Sequence, residues 1–393
     1  MTLSRLFRFE LRAVFTNPAL LLTVFGGVLF YSFLYPLPYA NQLPREQKIT
    51  VVDLDQSRLS RDLARMVDAT PQVRIVHRSH TLAEAKNTML REKLAGILVI
   101  PNHFYRDLLQ GRSPTLAYAG DASYFLVYGT VLQGMMSSGK TLAAQVKVKR
   151  LLLSGRPLQL AKEQYNSVKL RLHALFNETG GYVNYVIPAV FVLILHQTLI
   201  MGVGILGGAQ NEQTAGGKTL YLLNTSPGKL LLVRSSIFFV IYTLLSLYYY
   251  GPTFKLYDIP RLADISALAM LNLPFLLSAT FLGIALSTIL PRRELATLVI
   301  LLSSMPIVFG SGFIWPREAI PFPLLLLMQF VPAVPAIKAF VILNQMGADF
   351  HQITPLVTRL ILLTLLYGIL AYLLLGKKLK TFQPTAQKRG KNN

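Results

Sequence analysis

VIPAVFVLILHQTLIMGVGILGG, residues 186–208, runs for 23 residues without a charge, and His196 and Gln197 are its most polar side chains. About 20 such residues, rising about 1.5 Å each as a helix, cross the hydrocarbon core of a bilayer. This stretch therefore decides for a membrane protein. Similar apolar runs near 18–37, 231–251, 265–290, 295–315 and 356–375 bring the number of spans to six and place both termini on one side. The whole chain agrees, being 52% hydrophobic and only 15% charged over 393 residues, too apolar for ordinary soluble domains. A formal net charge of +21 could point to nucleic acid, but no aromatic and basic reader pattern accompanies it. Basic residues also gather where a membrane protein meets anionic headgroups, and membrane lipid is the partner expected here. The absence of cysteine excludes disulfides and thiolate metal sites.

Basic residues also set the orientation. With the amino terminus in the cytosol, short inner segments hold 14 Lys/Arg, among them Arg5, Arg8, Arg12, Lys218, Lys229, Arg234, Arg292 and Arg293, with six more in the tail. Short outer loops hold four, Lys255, Arg261, Arg317 and Lys338, with Arg359 near a helix entrance. Both termini are expected in the cytosol. PALLLTVFGGVLFYSFLYPLPYA, after the three arginines, reads as an uncleaved first span rather than a signal peptide. LSRLFRFELRAVFTNP before it has Leu3, Leu6, Phe7 and Leu11 on a lipid side and the arginines on a headgroup side, as in an interfacial helix.

Residues 41–180 then fall outside, carrying a net charge of +9, which the orientation rule tolerates because long domains translocate regardless of charge. KITVVDLD, VRIVH and AGILVIP read as strands, separated by the helical patterns SRLSRDLARMVDAT and TLAEAKNTMLREK, and TLAYAGD supplies a fourth strand. That alternation predicts a small α/β domain with a largely parallel sheet. Asp53, Asp55 and Asp121 at strand ends could line a ligand crevice, but such aspartates more commonly act in turns and caps. GMMSSGKT, residues 134–141, fits the phosphate-loop spacing, with Lys140 and Thr141 in the phosphate and magnesium positions. Yet Val127, Val131, Met135, Leu142 and Val146 recur around it at helical intervals, and no strand ending in Asp follows before the membrane returns. The match is read as coincidental, within a helical arm over 124–181.

The order LFN at 175–177, Gly181, Tyr182, Tyr185, Pro188, HQT at 196–198, Glu212, Thr214, Pro227 and Leu230 resembles ABC-2 exporter permeases. LGIALSTILPRRELATLVILLSSMPIVFGSGFIWPREAIP is similar to that family's paired fourth and fifth spans with an external Gly–Phe–x–x–Pro motif. VVDLDQSRLSRDL and GILVIPNHFYRDLLQG resemble the bacterial branch with a large extracytoplasmic α/β domain. This chain departs from the branch in reading NEQTAGGKT where relatives read Glu-Arg-Glu-x-Gly-Thr, and Asn177-Glu178 where they often have Asn-Pro. The first departure bears on how the loop grips its motor.

The expected architecture is a polytopic α-helical membrane protein with six transmembrane helices, an inserted extracytoplasmic α/β domain and a helical arm. Its segments are an interfacial helix (1–17), the first span (18–40), the α/β domain (41–123), the arm (124–181) and the second span (182–208). A cytosolic coupling loop (209–230), four further spans (231–376) with an outer re-entrant segment about 316–345, and a basic tail (377–393) complete it. The resemblance implies a bacterial inner-membrane exporter subunit that pairs with a second permease, the same or different. Separate cytosolic P-loop ATPases would bind ATP and Mg, this chain holding no cofactor, and a periplasmic adaptor could dock outside. Glu212, Thr214, Lys218, Pro227 and Lys229 are expected to meet the ATPase. His196, Gln197 and Asn272, polar within spans, line a transport path or make interhelical hydrogen bonds. Gly312, Phe313, Pro316 and Pro321 belong to an outer gate, where clustered prolines exclude one straight helix. Amphipathic drugs, lipids and glycoconjugates are the candidate cargoes. A receptor with an external ligand domain is the rival reading, and the short basic tail TFQPTAQKRGKNN, with no signalling domain, speaks against it.

Overall fold

The structure, a computed structural model, describes residues 1–39, 44–155, 157, 175–177, 181–215, 220–223 and 225–389. The chain forms two compact units, residues 1–40 with 174–393, and residues 41–173. In chain order it begins with α1 (Leu3–Phe15) and α2 (Pro18–Tyr39). The second unit follows: β1 (Gln47–Asp53), α3 (Arg58–Asp68), β2 (Val73–Ser79), α4 (Leu82–Glu92), β3 (Gly96–Ile100), α5 (Phe104–Leu109), β4 (Ala117–Gly120) and α6 (Phe125–Leu153). The chain then returns through α7 (Tyr182–Ala215), α8 (Leu220–Leu223), α9 (Pro227–Leu256), α10 (Ile265–Ile289) and α11 (Arg293–Gly310). It closes with the short helices α12 (Phe322–Met328) and α13 (Ala333–Asn344) and the long α14 (Thr354–Arg389).

Six helices, α2, α7, α9, α10, α11 and the segment Phe350–Lys380 leading into and through α14, are long and apolar enough to cross a membrane. Their burial differs sharply. The most apolar stretch of α7 is 89% buried, whereas those of α2, α11 and the Phe350–Lys380 segment are 28%, 22% and 28% buried. A helix apolar on every side belongs at the centre of a bundle, and α7 occupies that place. Small residues let its neighbours come close: a Cβ on Gly208 would stand 2.6 Å from the Arg293 backbone, and one on Gly207 2.4 Å from the Ser287 Cβ.

The proline-rich stretch predicted as re-entrant is a broken pair, with α12 and α13 bent 84° from one another. Pro332 sits at the break, where its missing N–H and fixed φ stop α12 from continuing. Carbonyls at the break are met by α14: the Arg359 guanidinium donates to Met328 O and Gln329 O, each at 3.2 Å, and the Tyr367 hydroxyl donates to Phe330 O.

In the second unit the sheet order is β2-β1-β3-β4, with β1 parallel to β2 and β3, and β4 antiparallel at the edge. Helices cover both faces, as parallel strands require: Ile49, Val51, Leu98 and Ile100 pack with Leu63, Val67 and Phe104 on one side, while Val52 and Ile97 meet Ala85 of α4 on the other. The helix read from sequence as an arm contributes Val131, Met135 and Leu142 to the first core. Helix α6 is thus a wall of the α/β unit, and residues 156, 158–174 and 178–180 of the predicted arm lie outside the described residues.

Gly208→Ala is expected to lower the melting temperature of the detergent-purified chain, since overpacking a tight contact costs about 1–3 kcal/mol. Gly129→Ala, which meets open space in α6, is expected to leave it unchanged or raise it slightly. Equal shifts for the two substitutions would refute the close α7–α11 approach.

Candidate functional site

Polar side chains converge where α1, α7, α8 and α9 meet. Glu10 of α1 is 0% exposed and Arg234, in the second turn of α9, is 3% exposed. The guanidinium grips the carboxylate with two parallel bonds, Nε to Oε2 at 2.8 Å and Nη2 to Oε1 at 2.9 Å. Gln210 of α7 donates from Nε2 to Glu10 Oε1 at 3.0 Å and accepts from Arg234 Nη2 at its own Oε1. The Tyr221 hydroxyl of α8 donates to the same Glu10 oxygen at 3.0 Å and accepts from Gln210 Nε2 at 2.7 Å. Burial, reinforced by the neighbouring Glu10 charge, pushes the Tyr221 phenol above its ordinary pKa, so it remains a donor. Its ring stacks on Phe9 at 5.3 Å, fixing α8 against α1.

The two residues after Gln210 extend the junction to the rest of the bundle. Asn211 Nδ2 donates to the carbonyls of Ser287 (3.0 Å) and Leu290 (2.9 Å) at the end of α10. Lys378 of α14 donates to Ser287 O and Thr288 O, both at 3.2 Å, so side chains satisfy carbonyls the helix end would leave open. Glu212 accepts from the Arg293 backbone N–H at 3.1 Å, placing a carboxylate at the amino terminus of α11, where the helix dipole favours it. Three consecutive residues, Gln210 to Glu212, therefore each hold a different element.

The residues expected to meet a motor take up several positions. Glu212 bonds within the bundle, while Pro227 opens α9 as its first residue and Lys229 remains exposed, donating to Met1 O at 3.4 Å. Thr214 lies in the last turn of α7, and Lys218 falls outside the described residues. Arg234, read from sequence as a loop cation, is instead buried, because Glu10 supplies the charge that lets it stay there. On α1 only Leu6 departs from the lipid side expected for it: Leu6, Glu10 and Val14 form the buried stripe, while Leu3 and Phe7 are exposed. Sequence reasoning missed Glu10, Gln210, Asn211 and Tyr221. A signal was present in a single acid spaced four residues from both Leu6 and Val14, and in a single arginine inside LLLVRSSIFFV.

The candidate path residues do not form one site. Gln197 donates to the Ser304 hydroxyl at 3.1 Å, an α7–α11 bond of the interhelical kind. His196 is 2% exposed, its ring stacks beside Phe275 of α10, and neither ring nitrogen has a hydrogen-bond partner among the described residues. Asn272 lies half-buried one turn before Phe275. At the opposite end of the bundle from Glu10, Gly312 adopts φ +84°, which favours glycine, and Phe313 is buried with its carbonyl accepting from Tyr185. Pro316 and Pro321 are exposed at the connection into α12.

In the second unit GMMSSGKT lies in the interior of α6. Its backbone N–H groups belong to the helix, Gly134 packs against Thr70 and Val73, and the hydroxyls of Ser137 and Ser138 bond back to the Gly134 carbonyl. No cradle for a phosphate exists there. Asp53 accepts from the N–H groups of Asp55 and Gln56 and from the Ser60 hydroxyl, while Asp55 accepts from Tyr105 N at the start of α5. Asp121 accepts from Ser123 N. All three serve turns and helix starts, and no cluster of metal-ligating side chains occurs among the described residues.

Glu10→Gln leaves the Arg234 charge buried without its counter-ion, a change expected to cost about 3–5 kcal/mol. Combining Glu10→Leu with Arg234→Met removes both charges, and the double variant is expected to melt above either single one. A double-mutant cycle on the melting temperature checks this, and additive losses would contradict the pair.

A family model described as ABC-2 family transporter protein matches residues 18–373, which cover five of the six long apolar helices and most of the sixth. No curated protein matches the chain. A central span whose end ties five other elements together, six membrane-length helices and a family match over most of its length lead to one assignment: the chain belongs to the ABC-2 transporter family.

Proposed function

We propose that the protein is the permease subunit of an ATP-driven exporter, moving an amphipathic drug, lipid or glycoconjugate outward while separate cytosolic ATPases hydrolyse the nucleotide. The observation that carries this reading is the Glu10–Arg234–Gln210–Tyr221 junction. It joins a short helix between two spans, α8, to the amino-terminal helix, the central span and α9. A force applied to α8 or to exposed Lys229 would reach the spans through charge-assisted bonds with little slack. The family match supports a transporter role, and nothing in the helical GMMSSGKT segment competes with it by offering a nucleotide site.

Both termini and the Glu10 junction are then cytosolic, with residues 41–180 outside, in agreement with the excess of Lys/Arg in the short segments at that end. The weakly buried faces of α2, α11 and α14 carry exposed large apolar side chains, including Phe30, Leu302, Met305 and Leu362. Lipid and a second permease subunit would cover them, and that second subunit completes the path.

The absence of native cysteine gives a direct test of sidedness. Cysteines placed singly at exposed Arg112, Lys140 and Lys380 are treated in intact cells with a membrane-impermeant thiol reagent. Labelling at 112 and 140 but not at 380 is expected. Labelling of 112 and 140 only after lysis would invert the topology and remove the exporter reading built on it.

A further inference from the structure

The end of the bundle opposite the Glu10 junction holds an unbalanced group of cations. Arg317, on the connection from α11, Lys338 of α13 and Arg359 of α14 line one small recess at the elbow between α12 and α13. Among the described residues none of the three is in a salt bridge, and Glu318, next in sequence to Arg317, pairs with none of them. Arg317 and Arg359 repel one another. Arg359 is held half-buried by its bonds to Met328 O and Gln329 O, whereas Arg317 and Lys338 are exposed and donate to no protein acceptor among the described residues. The recess has a volume of about 50 Å³. That is above the roughly 10–15 Å³ a cavity needs to admit a water-sized group. Apolar side chains, among them Leu325, Met328, Val334 and Leu356, form its remaining walls.

Cations placed against apolar walls with their repulsion unrelieved are held at a cost that a bound anion would remove. On the orientation proposed above, short outer segments are poor in Lys/Arg, yet three of their five cations meet here, which placement by topology alone does not explain. From the charge, the volume and the apolar rim together we infer that the Arg317–Lys338–Arg359 recess binds a phosphate oxyanion. Two guanidiniums and an ammonium offer the donors and positive charge that phosphate oxygens take, and exposed Phe322 and Leu326 on α12 offer an apolar surface beside it. A phosphodiester headgroup and a free phosphate share this chemistry.

The test uses the full chain, purified and placed in nanodiscs of phosphatidylcholine with or without phosphatidylglycerol. Native mass spectrometry counts retained lipid, and inorganic phosphate is titrated in detergent with melting temperature as the readout. Wild type is expected to retain phosphatidylglycerol over phosphatidylcholine, or to be stabilised by inorganic phosphate. R317Q/K338Q is expected to weaken whichever binds by about thirtyfold, at about fivefold per charge. Both positions are exposed, and an unchanged melting temperature without ligand verifies that the variant folds. K255Q/R261Q, which removes two cations at the same end but outside the recess, is expected to bind as wild type does. Lipid retention alone assigns the headgroup as the source, and stabilisation by phosphate alone assigns a soluble anion. No binding by wild type, equal binding by R317Q/K338Q, or an equal loss in K255Q/R261Q overturns the inference. None of these readouts depends on an ATPase partner or on orientation, so the exporter reading stands or falls separately.

Discussion

Arg234 enters the bundle about 10 Å along α9 from its first residue, where apolar side chains exclude the water that would hydrate a guanidinium. It is tolerated there because Glu10 faces it with two parallel bonds and because Gln210 and Tyr221 add further hydrogen bonds to the pair. Breaking such a pair from one side costs far more than the intact pair contributes, since a lone buried charge remains. The arrangement therefore specifies geometry more than it supplies stability. It fixes the angle at which α1 meets the bundle, and it holds α8 in place through a side chain at its centre. The arrangement of the remaining spans follows from the same point, because Gln210 is followed directly by Asn211 and Glu212, which seat the end of α10 and the start of α11.

The two ends of the bundle solve different problems. At the Glu10 end, helix termini are closed by side chains from neighbouring helices, and Gly207 and Gly208 allow α10 and α11 to approach α7 closely enough for those short side chains to reach. At the other end the chain turns back on itself between α12 and α13, and the free carbonyls of that elbow are met by Arg359 and Tyr367. One end thus closes around a buried, mutually neutralised pair. The other keeps cations on display around a recess, with Gly312 and the buried Phe313 in the connection leading to it.

The α/β unit follows a separate logic. Its sheet is covered on one side by α3, α5 and α6 and on the other by α4, so the strands are buried on both faces without help from lipid. The glycines and serines that gave α6 the spacing of a phosphate loop are used for packing and for bonds back into the helix. A spacing rule for phosphate binding presupposes a loop, and here helical periodicity in Val131, Met135 and Leu142 outweighs it.

Much of this could be read in the residues alone. Six apolar stretches of membrane length, the strand and helix alternation after Lys48, the proline-enforced break near Pro332 and the family resemblance all depend on local composition and spacing, which the chain carries without folding. The roles of Glu10, Arg234 and Gln210 do not. Arg234 counted as a loop cation because sequence shows where a charge lies along the chain and not what faces it across 224 residues. Glu212, expected at a motor surface, is also found to serve the start of α11, 81 residues away. The recess of Arg317, Lys338 and Arg359 also exists only once three separated segments meet. Sequence by itself determined the membrane helices and the strands, since burial in lipid or in a sheet is a property of each segment. Tertiary structure alone decided which charges are buried, which are paired and which are left without a counter-ion, because a charge is neutralised by its neighbour in space.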